Sequence, residues 1–415
     1  MNNNTPEIRF KGFTDAWEQR KFSYYLDFSV SNNTLSRAGL NYDEGEIKNI
    51  HYGDILVKFD SIIDISNPKV PFITGGKAED YKNQLLQNGD IIIADTAEDE
   101  TTGKAVEITG ISDNYVVSGL HTMVARPNEA FARGYLGYYL NSQAYRNQLL
   151  PLMQGIKVLS LSKTNMAKTT IIFPKNKSEQ TRIGTFFRTL DDAITLHKRK
   201  LSGLKELKRG YLQQMFPQTG ESVPRARFDG FTGTWEIKKA GEIFVSVSNK
   251  NCPHLPVLSA SQEKGMVLRS ELGIDIKYDI NSLNTYKRIR QGQFAIHLRS
   301  FQGGFAYSDL EGITSPAYTI LDYKNSNEHD SNYWKEIFVS QLFIKRLETI
   351  TYGIRDGRSI SFSEFSTLEF PFPSIPEQIA IGNFFRTLDE QITAQQQKLS
   401  QLKQLKSAYL QKMFI

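Results

Sequence analysis

Residues able to do covalent or metal chemistry are few in this sequence, and their spacing does not suit it. The six histidines, His51, His121, His197, His254, His297 and His329, are scattered, without the close spacing that lets two imidazoles reach one ion. The lone Cys252 excludes intrachain disulfides and Cys-rich zinc sites and fits a reducing compartment. Thr102-Gly-Lys-Ala105 lacks the earlier glycine and the following Ser/Thr of a phosphate-binding loop. An adenine methyltransferase needs a Gly-rich cofactor loop and an Asn/Asp-Pro-Pro-aromatic motif to hold a flipped base, and no two prolines here are adjacent. The acidic pair Asp191-Asp192 falls near the start of a helical stretch, where it suits the positive end of the macrodipole. The residues therefore point to no catalytic group, no metal site and no cofactor.

What the chain does have is a repeat. Pro6–Lys21 returns as Pro224–Lys239 with nine of 16 positions identical, and Ser178–Phe216 returns as Pro376–Phe414 with 24 of 39. The openings lie 218 residues apart and the later blocks 198, so the stretch between them is 20 residues shorter in the second half. Residues 22–173 and 240–372 share little identity. Each nevertheless passes through a Gly-led strand signal, Gly89-Asp-Ile-Ile-Ile-Ala94 and Gly292-Gln-Phe-Ala-Ile-His297, among Gly and Asn/Asp turns. Each also has a helical stretch late in the segment, near Tyr135–Leu150 and Trp334–Leu347. One frame around two different fillings is expected, each filling a mixed α/β (α+β) domain.

The repeated blocks read as long helices bounded by Pro174, Pro376 and Pro217. Steps of four and three residues place Ile183, Phe187, Leu190, Ile194, Leu201, Leu204 and Tyr211 on one stripe of the first. Ile381, Phe385, Leu388, Ile392, Leu399, Leu402 and Tyr409 form the same stripe in the second. Polar breaks fall at matching places, His197 with Gln395 and Lys208 with Lys406. Each stripe needs a partner of equal length, and the other copy is the obvious one. About 35 helical residues make a rod of roughly 50 Å. Antiparallel pairing would relate the two domains by a pseudo-two-fold axis at opposite ends of the pair. Phe186 and Phe384, beside the stripe, face either the adjoining domain or a separate subunit. The partition expected is 1–173, 174–216, 217–372 and 373–415, domain and spacer helix alternating.

Bulk properties agree with a folded chain of more than one domain. Its 415 residues are 40% hydrophobic and 23% charged. Fifty Lys and Arg against 45 Asp and Glu give +5, which permits a polyanionic partner without requiring one. The start lacks a signal-like pattern, and no run approaches the roughly 20 apolar residues that span a bilayer, so a cytoplasmic location with no membrane partner is expected.

The repeated Phe-x-Gly-Phe-Thr-x-x-Trp-Glu openings, the Glu-Gln-x-x-Ile-Gly-x-Phe-Phe-Arg-Thr-Leu-Asp helix starts and the Tyr-Leu-Gln-x-Met-Phe helix ends resemble the specificity (S) subunit of type I restriction-modification enzymes, over essentially the whole chain. The resemblance implies two target-recognition domains, each reading half of a split site in double-stranded DNA. It implies that the helices form an antiparallel coiled coil and dock two methyltransferase (M) subunits, with restriction (R) subunits joining through them. It also implies no catalysis by this chain, S-adenosylmethionine, ATP and Mg being held by partner subunits in the bacterial cytoplasm.

Base readout needs side chains that make paired contacts in the major groove, chiefly Arg or Lys to guanine and Asn or Gln to adenine. In the second domain, His297-Leu-Arg-Ser-Phe-Gln-Gly-Gly304 follows a strand and offers Arg299, Ser300 and Gln302 on a loop. An ordinary hairpin turn with solvated polar residues is the alternative. Arg355 and Arg358 flank a turn in Tyr352–Ser361, which aligns with Gln154–Ser162 and so with Lys157 and Lys163, where phosphate anchoring is the commoner role. In the acidic loop Asp95–Lys104 only Thr101, Thr102 and Lys104 suit DNA.

Overall fold

Two 38-residue helices, Lys177–Gln214 and Ile375–Lys412, occupy the repeated blocks. The structure, a computed structural model, describes residues 4–66, 69–218, 220–261, 264–272, 280–297, 304–350 and 360–415. Pro376 is the second residue of its helix rather than its boundary, a position where the missing N–H goes unused. Asp191 and Asp192 lie well inside the first helix, so the macrodipole does not account for them.

The chain divides into two compact units that cut across the linear partition, residues 1–198 with 397–415 and residues 199–396. Each unit therefore contains part of each long helix. Within the first unit Phe186 packs edge-on against Tyr409 at 5.0 Å, and Lys406 donates to Asp191. Rising numbers on one segment meet falling numbers on the other, so the two segments are antiparallel. The second unit repeats this with Tyr211 against Phe384 at 4.9 Å and Lys208 donating to Asp389 at 2.7 Å. Phe186 and Phe384 thus face the paired helix and the opening motif, Phe10 and Phe228 being the further ring neighbours.

Of the expected stripe, Ile183, Phe187, Leu190, Ile194, Ile381, Phe385 and Leu388 are buried. Leu402 and Tyr409 pack on the first unit's core, Leu204 and Tyr211 on the second's. Leu201, Ile392 and Leu399 are half-buried.

Each domain is built on one sheet with a continuous apolar strand at its centre, as a strand covered on both faces requires. In the first unit the order is Leu26–Asp27, Thr122–Pro127, Ile91–Ala94, Ala105–Thr109, Ile62–Asp64, with only the last pair parallel. Ile91 and Ile93 face the core shared with the long helices, while Ile92 and Ala94 face a second core. A four-stranded sheet of Tyr115–Ser118, Ile47–Ile50, Phe72–Ile73 and Leu40–Asn41 stands beside it. The second unit has Phe244–Val247, Thr319–Tyr323, Phe294–Ile296 and Phe305–Tyr307, all antiparallel. Phe294 and Ile296 again face one core and Ala295 the other. Both late helical stretches are broken at matching serines. Ser142 and Ser340 cap new helices by accepting from Tyr145 N and Phe343 N.

The repeated motifs form a socket, built twice. Arg9 makes a two-point ion pair with Glu179 at 2.6 and 2.8 Å, and Arg227 does the same with Glu377. Gln180 donates to Pro174 O and accepts from Ala132 N; Gln378 donates to Pro373 O and accepts from Asp330 N. Gly184 and Gly382 let backbone approach, since a Cβ on either would sit 2.8 Å from Arg133 O or 2.9 Å from Tyr333 N. The opening motif also ties to the end of the other helix in its unit, through Ile8 N to Lys412 O and Ala226 N to Gln214 O, both 2.9 Å. Strands Glu18–Lys21 and Glu236–Lys239 pair with Thr170–Phe173 and Glu369–Phe372, the residues leading into each long helix. Among the described residues no helix is long and apolar enough to cross a membrane.

Candidate nucleic-acid interface

In the first unit a short antiparallel pair, Thr96–Ala97 with Leu159–Ser160, brings the acidic loop beside the loop that carries Lys157. The acidic loop is folded on itself by Asp99, which accepts from Thr101 N and Thr101 Oγ1 and is held below the usual carboxylate range by those bonds. Thr101 is exposed. Thr102 is fully buried, its hydroxyl donating to Asp99 O and Leu159 O, so it braces the loop instead of facing a ligand. Lys104 points inward and donates to Leu56 O at 3.1 Å and Phe59 O at 2.7 Å. Burial pulls its pKa down, and its ammonium is engaged by these two carbonyl oxygens. The expectation that Thr102 and Lys104 reach DNA is corrected by these bonds.

Lys157 is exposed in a turn closed by Gln154 N to Ser160 O at 3.0 Å and Ser160 N to Gln154 O at 2.8 Å. Gly155 in that turn has φ +123°, a conformation closed to a side chain. Lys163 is exposed as the first residue of the helix Lys163–Lys168, its ammonium 5.9 Å from the Phe28 ring. Arg299, Ser300, Gln302, Arg355 and Arg358 lie outside the described residues. Their anchors are described. His297 N donates to Gly304 O at 2.9 Å, which closes the base of the 297–304 segment, and Ser361 caps the helix Phe362–Phe365.

Sequence reasoning passed over a second polar cluster in the first unit. Asp54 is buried and bracketed by Arg37 at 3.0 Å and Lys58 at 2.8 Å, whose outer parts stay in solvent. Arg37 and Lys58 also reach the Tyr42 hydroxyl. Nearby, His121 stands 3.5 Å from Asp95 and edge-on to Tyr52. His121 has φ +54°, a left-handed conformation uncommon for a residue other than glycine. Burial lowers His51, aided by Arg37, and raises Asp95 against the pull of His121. The Asp54/Lys58 spacing of four residues was the one signal in the sequence; the partnership with Arg37 needed the fold.

A sequence profile for the type I restriction modification DNA specificity domain matches residues 42–206 and again 233–404. The fold is similar to the crystal structure of a type I restriction-modification system S subunit from M. genitalium, with TM-score 0.63 at 14% identity over 99% of each chain. It is also similar to a chain from a structural study of complex assembly and conformational transition of the type I R-M system, with TM-score 0.52 at 16% identity over 96% of this chain and 97% of that one. No curated protein matches the sequence. With the profile covering most of its length in two copies, the chain belongs to the family of type I restriction-modification specificity proteins.

Proposed function

We propose that this chain is the sequence-specificity subunit of a type I restriction-modification system and has no catalytic activity of its own. Each unit reads one half of a split site in duplex DNA. The long helices dock two methyltransferase subunits, and restriction subunits join through them. S-adenosylmethionine, ATP and Mg belong to those partners, and the complex works in the bacterial cytoplasm.

The observation that carries this reading is the socket made twice from the same residues, Arg9/Glu179/Gln180/Gly184 and Arg227/Glu377/Gln378/Gly382, around domains whose loops differ in sequence. Such a protein changes what it reads without changing what it docks. Exposed Lys157 and Lys163 suit phosphate anchoring, and Arg299, Ser300, Gln302, Arg355 and Arg358 carry the chemistry of base-edge contact. Selection from a random duplex pool by the chain bound to its methyltransferase should return a two-part motif. A pool without enrichment would leave only a helical scaffold, and methyl transfer by the purified chain alone would make it an enzyme.

A further inference from the structure

The second unit holds a recess of about 530 Å3. Lys205, Lys208 and Arg209 of the first long helix stand on one wall, Lys208 being held by Asp389 and Glu336, with Arg225 at its edge and Lys345 and Arg346 of the helix Gln341–Ile350 on the other. No aspartate or glutamate is among the described residues that line it. Arg225 is engaged by Glu221, and Arg346 donates to Glu369 O, whereas Lys205, Arg209 and Lys345 are exposed to solvent. The floor is apolar. Ile337, Phe343 and Phe370 are buried beneath it, Leu212 and Leu342 half-buried, and Val339 is 49% exposed.

The other half of the repeat does not carry this charge. At the helix offset, Ser407 stands for Arg209, Asn147 for Lys345 and Gln148 for Arg346. In the opening repeat Glu7 stands for Arg225, while Lys403 and Lys406 keep the charges of Lys205 and Lys208. The socket is the same in both units; the basic recess is a property of one.

We propose that this recess docks an acidic, amphipathic segment of a protein partner, one copy per chain. Cations clustered on two walls, with no carboxylate between them, focus positive potential into the cleft. Val339, Leu342 and Leu212 call for apolar side chains on the occupant. A duplex backbone supplies phosphates but nothing to cover that floor. A segment with leucines spaced between glutamates supplies both.

The test is fluorescence anisotropy of a labelled synthetic Glu/Leu amphipathic peptide titrated with the full chain, against a poly-Glu peptide and a random-sequence duplex. Saturable binding at one peptide per chain is expected, weaker for poly-Glu. Arg209→Glu with Lys345→Glu should weaken it roughly tenfold or more, and the milder Arg209→Gln with Lys345→Gln should weaken it in the same direction. Val339→Ser should weaken it severalfold, and Lys403→Glu should change nothing. Absence of binding, indifference to both double variants, or an equal loss with Lys403→Glu would overturn the proposal. So would displacement of the peptide by the duplex together with loss of duplex affinity in the charge-reversed chain, which would assign these cations to phosphate. The outcome is separate from base readout, since a split motif selected by either double variant leaves the specificity reading intact.

Discussion

The two units make the same interhelical ion pair in different company. In the first, Lys406 donates to Asp191, whose other oxygen accepts from the Tyr138 hydroxyl at 2.8 Å. In the second, Lys208 lies between Asp389 at 2.7 Å and Glu336 at 2.9 Å, and Glu336 occupies the place of Tyr138 at the 198-residue offset. One lysine thus answers one carboxylate and a neutral phenol in the first unit, but two carboxylates in the second. Burial raises Glu336 against the pull of Lys208, and it raises Asp191 against Lys406. Burial also pulls Lys208 down, but Glu336 and Asp389 more than offset it and hold it above its ordinary value. A repeat can therefore conserve geometry while redistributing charge, and the second unit depends more heavily on its lysine.

Lys208→Met breaks that comparison most sharply. It leaves buried Glu336 without its ion-pair partner and Asp389 with Lys335 alone at 3.5 Å, at a cost of about 3–5 kcal/mol. Lys406→Met leaves Asp191 its phenol donor and should cost about 1–3 kcal/mol. Urea unfolding, with hydrogen exchange of peptides from each unit, measures both; equal losses would erase the distinction.

Gly382→Ala comes next. Its Cβ would fall 2.2 Å from Asp330 Oδ1 and 2.9 Å from Tyr333 N, displacing a helix cap as well as backbone. Gly184→Ala meets Arg133 O at 2.8 Å and no cap. Both should cost about 1–3 kcal/mol from overpacking, with about 1 kcal/mol more for Gly382→Ala from the lost cap. A thermal shift of the same size for both variants would count against the cap.

A third contrast is acid response. His329 stands where the first unit has Phe131, and burial pushes its pKa down to about 4. A histidine held below its ordinary 6.5 stabilises the fold fully above 6.5 and loses that contribution as pH falls toward 4. Glu336 acts with the opposite sign, because a carboxyl raised above 4.5 regains stability as pH falls toward that value. The readout is therefore the difference between the native chain and His329→Phe. After discounting for the part exposure of the ring, the second unit should lose about 1–2 kcal/mol by pH 4 in the native chain only. Exchange protection, corrected for the intrinsic pH dependence, that falls equally in both chains would remove His329 from the account.

The smallest effect concerns the two tryptophans of the opening motif. Trp17 Nε1 donates to Glu179 at 3.4 Å, while Trp235 Nε1 is buried without a hydrogen bond. Trp17→Phe should therefore cost about 0.5–1 kcal/mol more than Trp235→Phe, measured by the same denaturant titration.

The duplicated frame, both long helices and the Gly-led central strands were legible in the sequence, because helix and strand periodicity and turn chemistry are local. Glu179, Gln180 and Gly184 were legible as a motif, yet not as a socket, since their partners Arg9, Ala132 and Arg133 lie far away along the chain. The serine-capped breaks at Ser142 and Ser340 were hidden inside stretches that read as single helices.

By itself the sequence determined that this protein is one frame used twice, with apolar stripes long enough to demand a partner. Only the tertiary structure decided that each compact unit takes part of each helix, that Lys406 meets Asp191 across 215 residues, and that Thr102 and Lys104 turn inward. The reason is physical. A side chain's type sets what it can bond, but whether it meets water or a buried partner depends on which distant segment covers it.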